Sequence, residues 1–191
     1  MLTQAALFIL DTVLGLFALA VLVRFYLQLM RAPFRNPASQ FVAAVTDFAV
    51  KPLRRVIPGL WGLDLASLTL AWLAEWLLLL GELWLGGMPF LTPGGLSLLA
   101  LATLAVVKLL RLSIYILIGA VFLQAILSWV NPHTPLAPVL GSLTRPFLRP
   151  VQKLVPLVAN VDLSPLIVFF LCQLALMLPV AWLETLVLRL F

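Results

Sequence analysis

TDFAVKPLRRVIPGLWGLD, Thr46 to Asp64, returns ninety-eight positions later as TRPFLRPVQKLVPLVANVD, Thr144 to Asp162, with the threonine, two prolines and the closing aspartate in register. What flanks each copy decides the fold. The 191-residue chain is 64% hydrophobic and 10% charged, with a mean hydropathy of +1.18, beyond the range of a soluble domain. Each copy therefore interrupts apolar runs of a membrane protein.

Four segments are long and apolar enough to cross a hydrocarbon core of about 30 Å, near residues 5–30, 64–85, 96–130 and 163–186. The third is too long for one perpendicular crossing. Lys108 and Arg111 suggest that 112–130 spans, which leaves 96–107 as interfacial, re-entrant or spanning. The opening MLTQ has no basic leader region, and Asp11 and Arg24 lie inside the first apolar run, so no cleaved signal peptide is expected. Cys172 has no partner thiol, which removes intramolecular disulfides and CxxC chemistry.

Basic residues set the orientation. The 31–63 loop holds Arg31, Arg35, Lys51, Arg54 and Arg55, and the 131–161 loop holds Arg145, Arg149 and Lys153. Gly86 to Gly95 holds none. Both long loops are thus expected in the cytoplasm, with the termini and the short connection outside. The expected partners of this basic charge are anionic lipid head groups and an unidentified membrane or cytoplasmic protein. Nucleic acid is not among them, because no folded soluble module or aromatic platform is present. A homo-oligomer is left open.

The register continues beyond the quoted stretch: Asp64-Leu65 matches Asp162-Leu163, Trp84-Leu85 matches Trp182-Leu183, and Glu75 falls on Gln173. Each half reads as helix, proline-rich basic segment and helix, and both start on the same side. The fold class is an all-α integral membrane protein of about four transmembrane helices in two parallel helix-loop-helix repeats with amphipathic cytoplasmic segments. The first repeat takes residues 1–88, the second 96–191, and 89–95 connects them externally.

The repeated pattern reads Thr46, Lys51-Pro52, Arg54-Arg55, Pro58 and Asp64-Leu65, then Thr144, Arg149-Pro150, Lys153, Pro156 and Asp162-Leu163-Ser164. With ILSWVNP, Ile126 to Pro132, it resembles the YggT family of small multi-pass membrane proteins over nearly the whole chain. The halves depart from one another where Gln152 replaces the first basic residue of the pair and Ala66 replaces the serine. The resemblance implies an inner-membrane protein with an accessory role. Bacterial members are linked loosely to osmotic-stress tolerance or cell division, and organellar relatives to cytochrome complex assembly.

The residues can also be read without the family. Asn36-Pro37 is a good helix start, and Phe41, Val45 and Phe48 then share one face. Leu136, Val139, Leu140 and Leu143 do the same in the second copy, where Pro146 and Pro150 are expected to prevent one long helix. Both segments should lie flat on the membrane, with Lys51, Arg54, Arg55, Arg145, Arg149 and Lys153 facing phosphate or a partner.

Asp64 and Asp162 each open a membrane helix, where an aspartate caps free N–H groups. The alternative is cross-pairing between repeats, Asp64 with Lys153 or Arg149 and Asp162 with Arg55 or Lys51. Glu75 lies near mid-helix, and an ionisable group at that depth is a functional candidate by default. It could bond Gln173 across the bundle axis, with Arg24 as its charged partner, or act simply as helix-helix glue. Asp11, Glu82 and Glu184 can balance Lys108 and Arg111 near the outer face.

Catalysis finds little support. His133 is the sole histidine, and no nucleophile motif, P-loop, HExxH or dinucleotide fingerprint occurs. No catalytic residues, metal or cofactor are expected. Two function classes remain: a non-catalytic scaffold or assembly factor working through its basic loops, and a small transport or permeability element, linked to osmotic or ion homeostasis, with Glu75 in the pathway.

Overall fold

The computed structural model describes residues 1–33, 35–60, 62–87, 98–131, 133–155 and 162–190. Their elements are helices α1 (Leu2–Leu29), α2 (Pro37–Val56), α3 (Leu65–Leu85), α4 (Leu98–Val130), α5 (Ala137–Leu154), α6 (Ser164–Ala175), a π turn (Leu176–Val180) and α7 (Ala181–Leu190). Four spans are long and apolar enough to cross a membrane: Leu2–Leu29, Leu65–Leu85, Leu98–Val130 and Ser164–Arg189. The chain is all-α, with no strand among the described residues. The external connection expected at 89–95, and Pro156, lie outside them.

α1 and α3 pack closely along their length. Val21, Leu22 and Phe25 meet Ala71, together with Val50 of α2 and Leu109 of α4. Gly81 allows this approach, since a Cβ there would lie 2.5 Å from the Leu10 side chain. α3 joins the second half through Leu79 against Leu101, Leu104 and Ala105, a cluster that also takes Val180 and Val187. α4 packs on α5 and α6 through Val121, Leu148, Val168 and Cys172, which is buried there.

Two expectations about helix breaks are corrected. Residues 98–130 form one continuous helix, not an interfacial piece followed by a span. At about 1.5 Å per residue, 33 residues reach roughly 50 Å and overrun the hydrocarbon core. Lys108 and Arg111 do not end the span: Arg111 is met sideways by Glu184 of α7, and Lys108 turns into a recess shared with α1 and α3, as described below. Likewise α2 runs through Pro52, and α5 through Pro146 and Pro150. Buried residues on the packed face lead up to these prolines, Thr46 and Val50 in α2, Thr144 and Leu148 in α5. Beyond Pro52 and Pro150 the side chains of Arg54 and Gln152 bond Asp64 and Asp162, so tertiary contacts carry the helix across the lost backbone bonds. The last span stays helical but widens into a π turn at Pro179, where the ring cannot sit against the carbonyl four residues back.

α2 and α5 sit at the same end of the bundle. Leu27, Ala32 and Val139 form a shared cluster with Val42 and Leu143, and the Asn36 side-chain amide donates to the Pro135 carbonyl. Asn36 also caps α2 by accepting from the Ala38 N–H at 2.9 Å, with Pro37 in the first turn, as the sequence leads one to expect. The two amphipathic faces fare differently. Phe41, Val45 and Phe48 stay exposed on the outside, whereas Val139 and Leu140 are buried inward.

Candidate functional site

Polar joints fasten each amphipathic helix to its own half. In the first half, buried Arg24 of α1 reaches α2, donating to the Thr46 hydroxyl at 2.8 Å and to Asp47 at 2.7 Å. Lys51 also pairs with Asp47, at 2.7 Å. Hydrogen bonds from Lys51 and then Arg24 hold the Asp47 carboxyl below the ordinary carboxylate range. In the second half the neutral Gln124 side chain stands against the Thr144 hydroxyl, which donates to the Leu140 carbonyl at 2.9 Å. Arg24 is therefore not the partner of Glu75. It locks α2 to α1, a role that only the return of α2 onto the bundle reveals.

The second joint sits where the membrane helices restart. Asp64, 3% exposed, accepts from the Ser67 N–H and hydroxyl, and Arg54 pairs with it at 2.5 Å while donating to Gln28 at 2.7 Å. Burial pushes the Asp64 carboxyl up, but the Arg54 and Ser67 hydrogen bonds outweigh it and the group titrates below its usual range. Asp162, exposed, accepts from the Ser164 N–H at 2.9 Å and from the Gln152 amide at 2.8 Å. Burial again raises, and the Ser164 and Gln152 bonds again lower, with a net lowering.

Asp64 is thus the N-cap of α3, Asp162 accepts from the first N–H of α6 from one residue before its N-cap Leu163, and neither pairs with the basic residues of the other repeat. Arg54 and Gln152 are the residues ninety-eight positions apart in the repeat, and each bonds the aspartate of its own copy. The ten-residue separation from partner to aspartate is short enough for the turn to fold back on itself. Gly62, at φ +85°, supplies part of that reversal. Lys51, Arg55, Arg145, Arg149 and Lys153 remain exposed, a basic surface at one end of the molecule.

A second group of charges lies among the membrane helices. A recess of about 490 Å³ between α1, α3 and α4 is lined by Asp11, Thr12, Glu75, Lys108, Arg111 and Tyr115, with apolar neighbours. Glu75 is 7% exposed, and among the described residues it makes no hydrogen bond and no ion pair. It does not face Gln173, which is exposed on the outside of α6. The expected balance of Arg111 by Glu184 is present, at 2.5 Å. The sequence separates a mid-helix Glu75 from an outer cluster, but the structure joins them in one recess, because α4 brings Lys108 against α3 at that depth. Among the described residues no group of three or more His, Cys, Asp or Glu is placed to hold a metal ion.

Fold and site together define a multi-pass helical membrane protein built from two tandem units, each a membrane helix, an amphipathic helix and a second membrane helix. The chain belongs to the CCB3/YggT family, whose model matches residues 3–85 and 103–183, one segment per unit. It is 39% identical to "Uncharacterized protein PA0392" of Pseudomonas aeruginosa, covering 93% of this chain and 89% of that protein. It is 34% identical to "Uncharacterized protein YggT" of Escherichia coli K12, covering 86% and 83%. No solved structure matches it.

Proposed function

We propose that the protein is a non-catalytic accessory or assembly factor of the cell inner membrane, whose basic amphipathic helices contact anionic lipid and a partner protein on the cytoplasmic side. One observation carries this reading. α2 and α5 dock at the same end, their polar joints turned inward, while Arg55, Arg145, Arg149 and Lys153 are exposed there and Lys51 is shared with Asp47. A basic residue near an anionic surface contributes about 1 kcal/mol, so four together hold the surface firmly. Lipid alone does not require rigid joints, and their presence favours a fixed surface presented to a protein.

The test is photocrosslinking in native membranes from residue analogues at Gln40 in α2 and Ser142 in α5. A recurrent protein adduct from both positions, lost when Arg149 and Lys153 are changed to glutamine, supports the reading. Adducts with lipid only would end the assembly-factor reading. A second reading, a small transport element, is favoured only by the mid-helix position of Glu75 in its recess. Full function in a Glu75→Gln variant would count against it.

A further inference from the structure

The recess between α1, α3 and α4 has charges of both signs that do not meet. Asp11, Glu75 and Lys108 line it, and among the described residues none of the three has an ion pair. Arg111 spends one terminal nitrogen on Glu184, but its buried Nε has no hydrogen-bond partner. Glu75 is more than nine-tenths buried and lines this recess without a partner. It stands ten residues from either end of α3, roughly 15 Å along the axis. Asp11 lies further out, toward the end opposite α2 and α5, since neighbouring Leu10 meets Gly81. Glu75, buried at this depth, is left without the compensation that a low-dielectric site demands, and Lys108 lines the same recess without an ion pair. A group carrying both charges at a short separation would satisfy all of them at once.

We propose that this recess binds a zwitterionic aminoalkyl phosphate, its primary ammonium toward Glu75 and Asp11 and its phosphate toward Lys108 and Arg111. A volume of about 490 Å³ accommodates such a head group. The ammonium must be primary, because the carboxylates need N–H donors that a trimethylammonium lacks. The recess is bordered by exposed Leu16 and Tyr115 on the outer surface of α1 and α4, so the group can arrive as the head group of a membrane phospholipid. The inference is independent of the cytoplasmic surface and holds whichever partner that surface takes.

The test uses the purified full-length protein, exchanged into detergent with equimolar phosphatidylethanolamine, phosphatidylcholine and phosphatidylglycerol. Retained lipid is counted by native mass spectrometry. Phosphatidylethanolamine should be retained about tenfold over phosphatidylcholine, the loss expected when buried carboxylates go unpaired. Glu75→Gln and Lys108→Gln should each erase that preference, and Arg149→Gln should leave it intact. Asp11→Asn, at an exposed position, gives the same reading should either of the first two fail to fold. Displacement by millimolar free phosphoethanolamine would assign the site to the soluble compound, and resistance would assign it to the lipid. Equal retention of the three lipids, preference for phosphatidylglycerol, or a preference unchanged in the Glu75, Lys108 and Asp11 variants would overturn the proposal.

Discussion

Arg54 pairs with Asp64 at 2.5 Å within the first unit, and its repeat mate Gln152 bonds Asp162 at 2.8 Å within the second. The duplicated joint keeps its ten-residue spacing from partner to aspartate and loses the positive charge of that partner. Its two versions also differ in burial, with Asp64 at 3% exposure and Asp162 exposed. Equal failure of the two copies, the simplest expectation from the repeat, is therefore not what this arrangement predicts.

Asp64→Ala should lower stability by about 1–3 kcal/mol, since it strands Arg54 and removes a buried cap. Asp162→Ala should cost less than about 1 kcal/mol, because Asp162 and its partner Gln152 are exposed and no charged partner is stranded. Unfolding in mixed micelles measures both. Equal losses would contradict the unequal burial.

A double-mutant cycle of Arg54 and Asp64 should show coupling above about 0.5 kcal/mol, and the cycle of Arg55 and Asp162 should be additive. The reverse result would restore the cross-repeat pairing that the structure replaces.

Acid should loosen the first unit's joints. The Asp47 and Asp64 carboxyls titrate lower in the folded protein than their ordinary value. Their stabilisation is therefore complete above the unfolded carboxylate range near about pH 4 and is lost as pH falls through the folded values. Protection of α2 backbone amides against hydrogen exchange, scaled for the intrinsic rate, should hold from neutral pH to about 5 and fall in stronger acid. In Asp64→Asn the acid-dependent part should shrink. An unchanged profile in that variant would separate Asp64 from the effect.

Gly81→Ile should destabilise the α1–α3 pair by about 1–3 kcal/mol, as overpacking does, because the added branch meets Leu10. Gly81→Ile combined with Leu10→Ala should recover part of the loss. No recovery would mean that the clash is with something other than Leu10.

Orientation can be read with an impermeant thiol reagent in intact cells, on a background lacking Cys172. A cysteine at Gln40, exposed on α2, should be protected, and one at Thr3 should be labelled. Gln40 is the better probe than Ser39, which is 1% exposed and would be protected wherever it lay. Labelling at Gln40 would reverse the topology.

Composition and periodicity alone determined that this is an all-α membrane protein, that it holds four spans, that its unit occurs twice, and that Asn36 and Asp64 open helices. These follow from transfer free energy and from backbone groups one turn away, both local quantities. Tertiary structure decided the rest. Prolines that local rules treat as breaks lie inside α2 and α5, because buried residues before them and the Arg54 and Gln152 bonds after them hold the helix to the bundle. Arg24 was legible as a buried charge but not as the partner of Asp47, and Gln173 matched Glu75 in register yet turned outward. Register gives equivalence along the chain, whereas the direction of a side chain depends on which neighbour its helix packs against. For the same reason Glu75, Lys108 and Asp11, residues of three separate helices, became one recess only when α1, α3 and α4 were placed side by side.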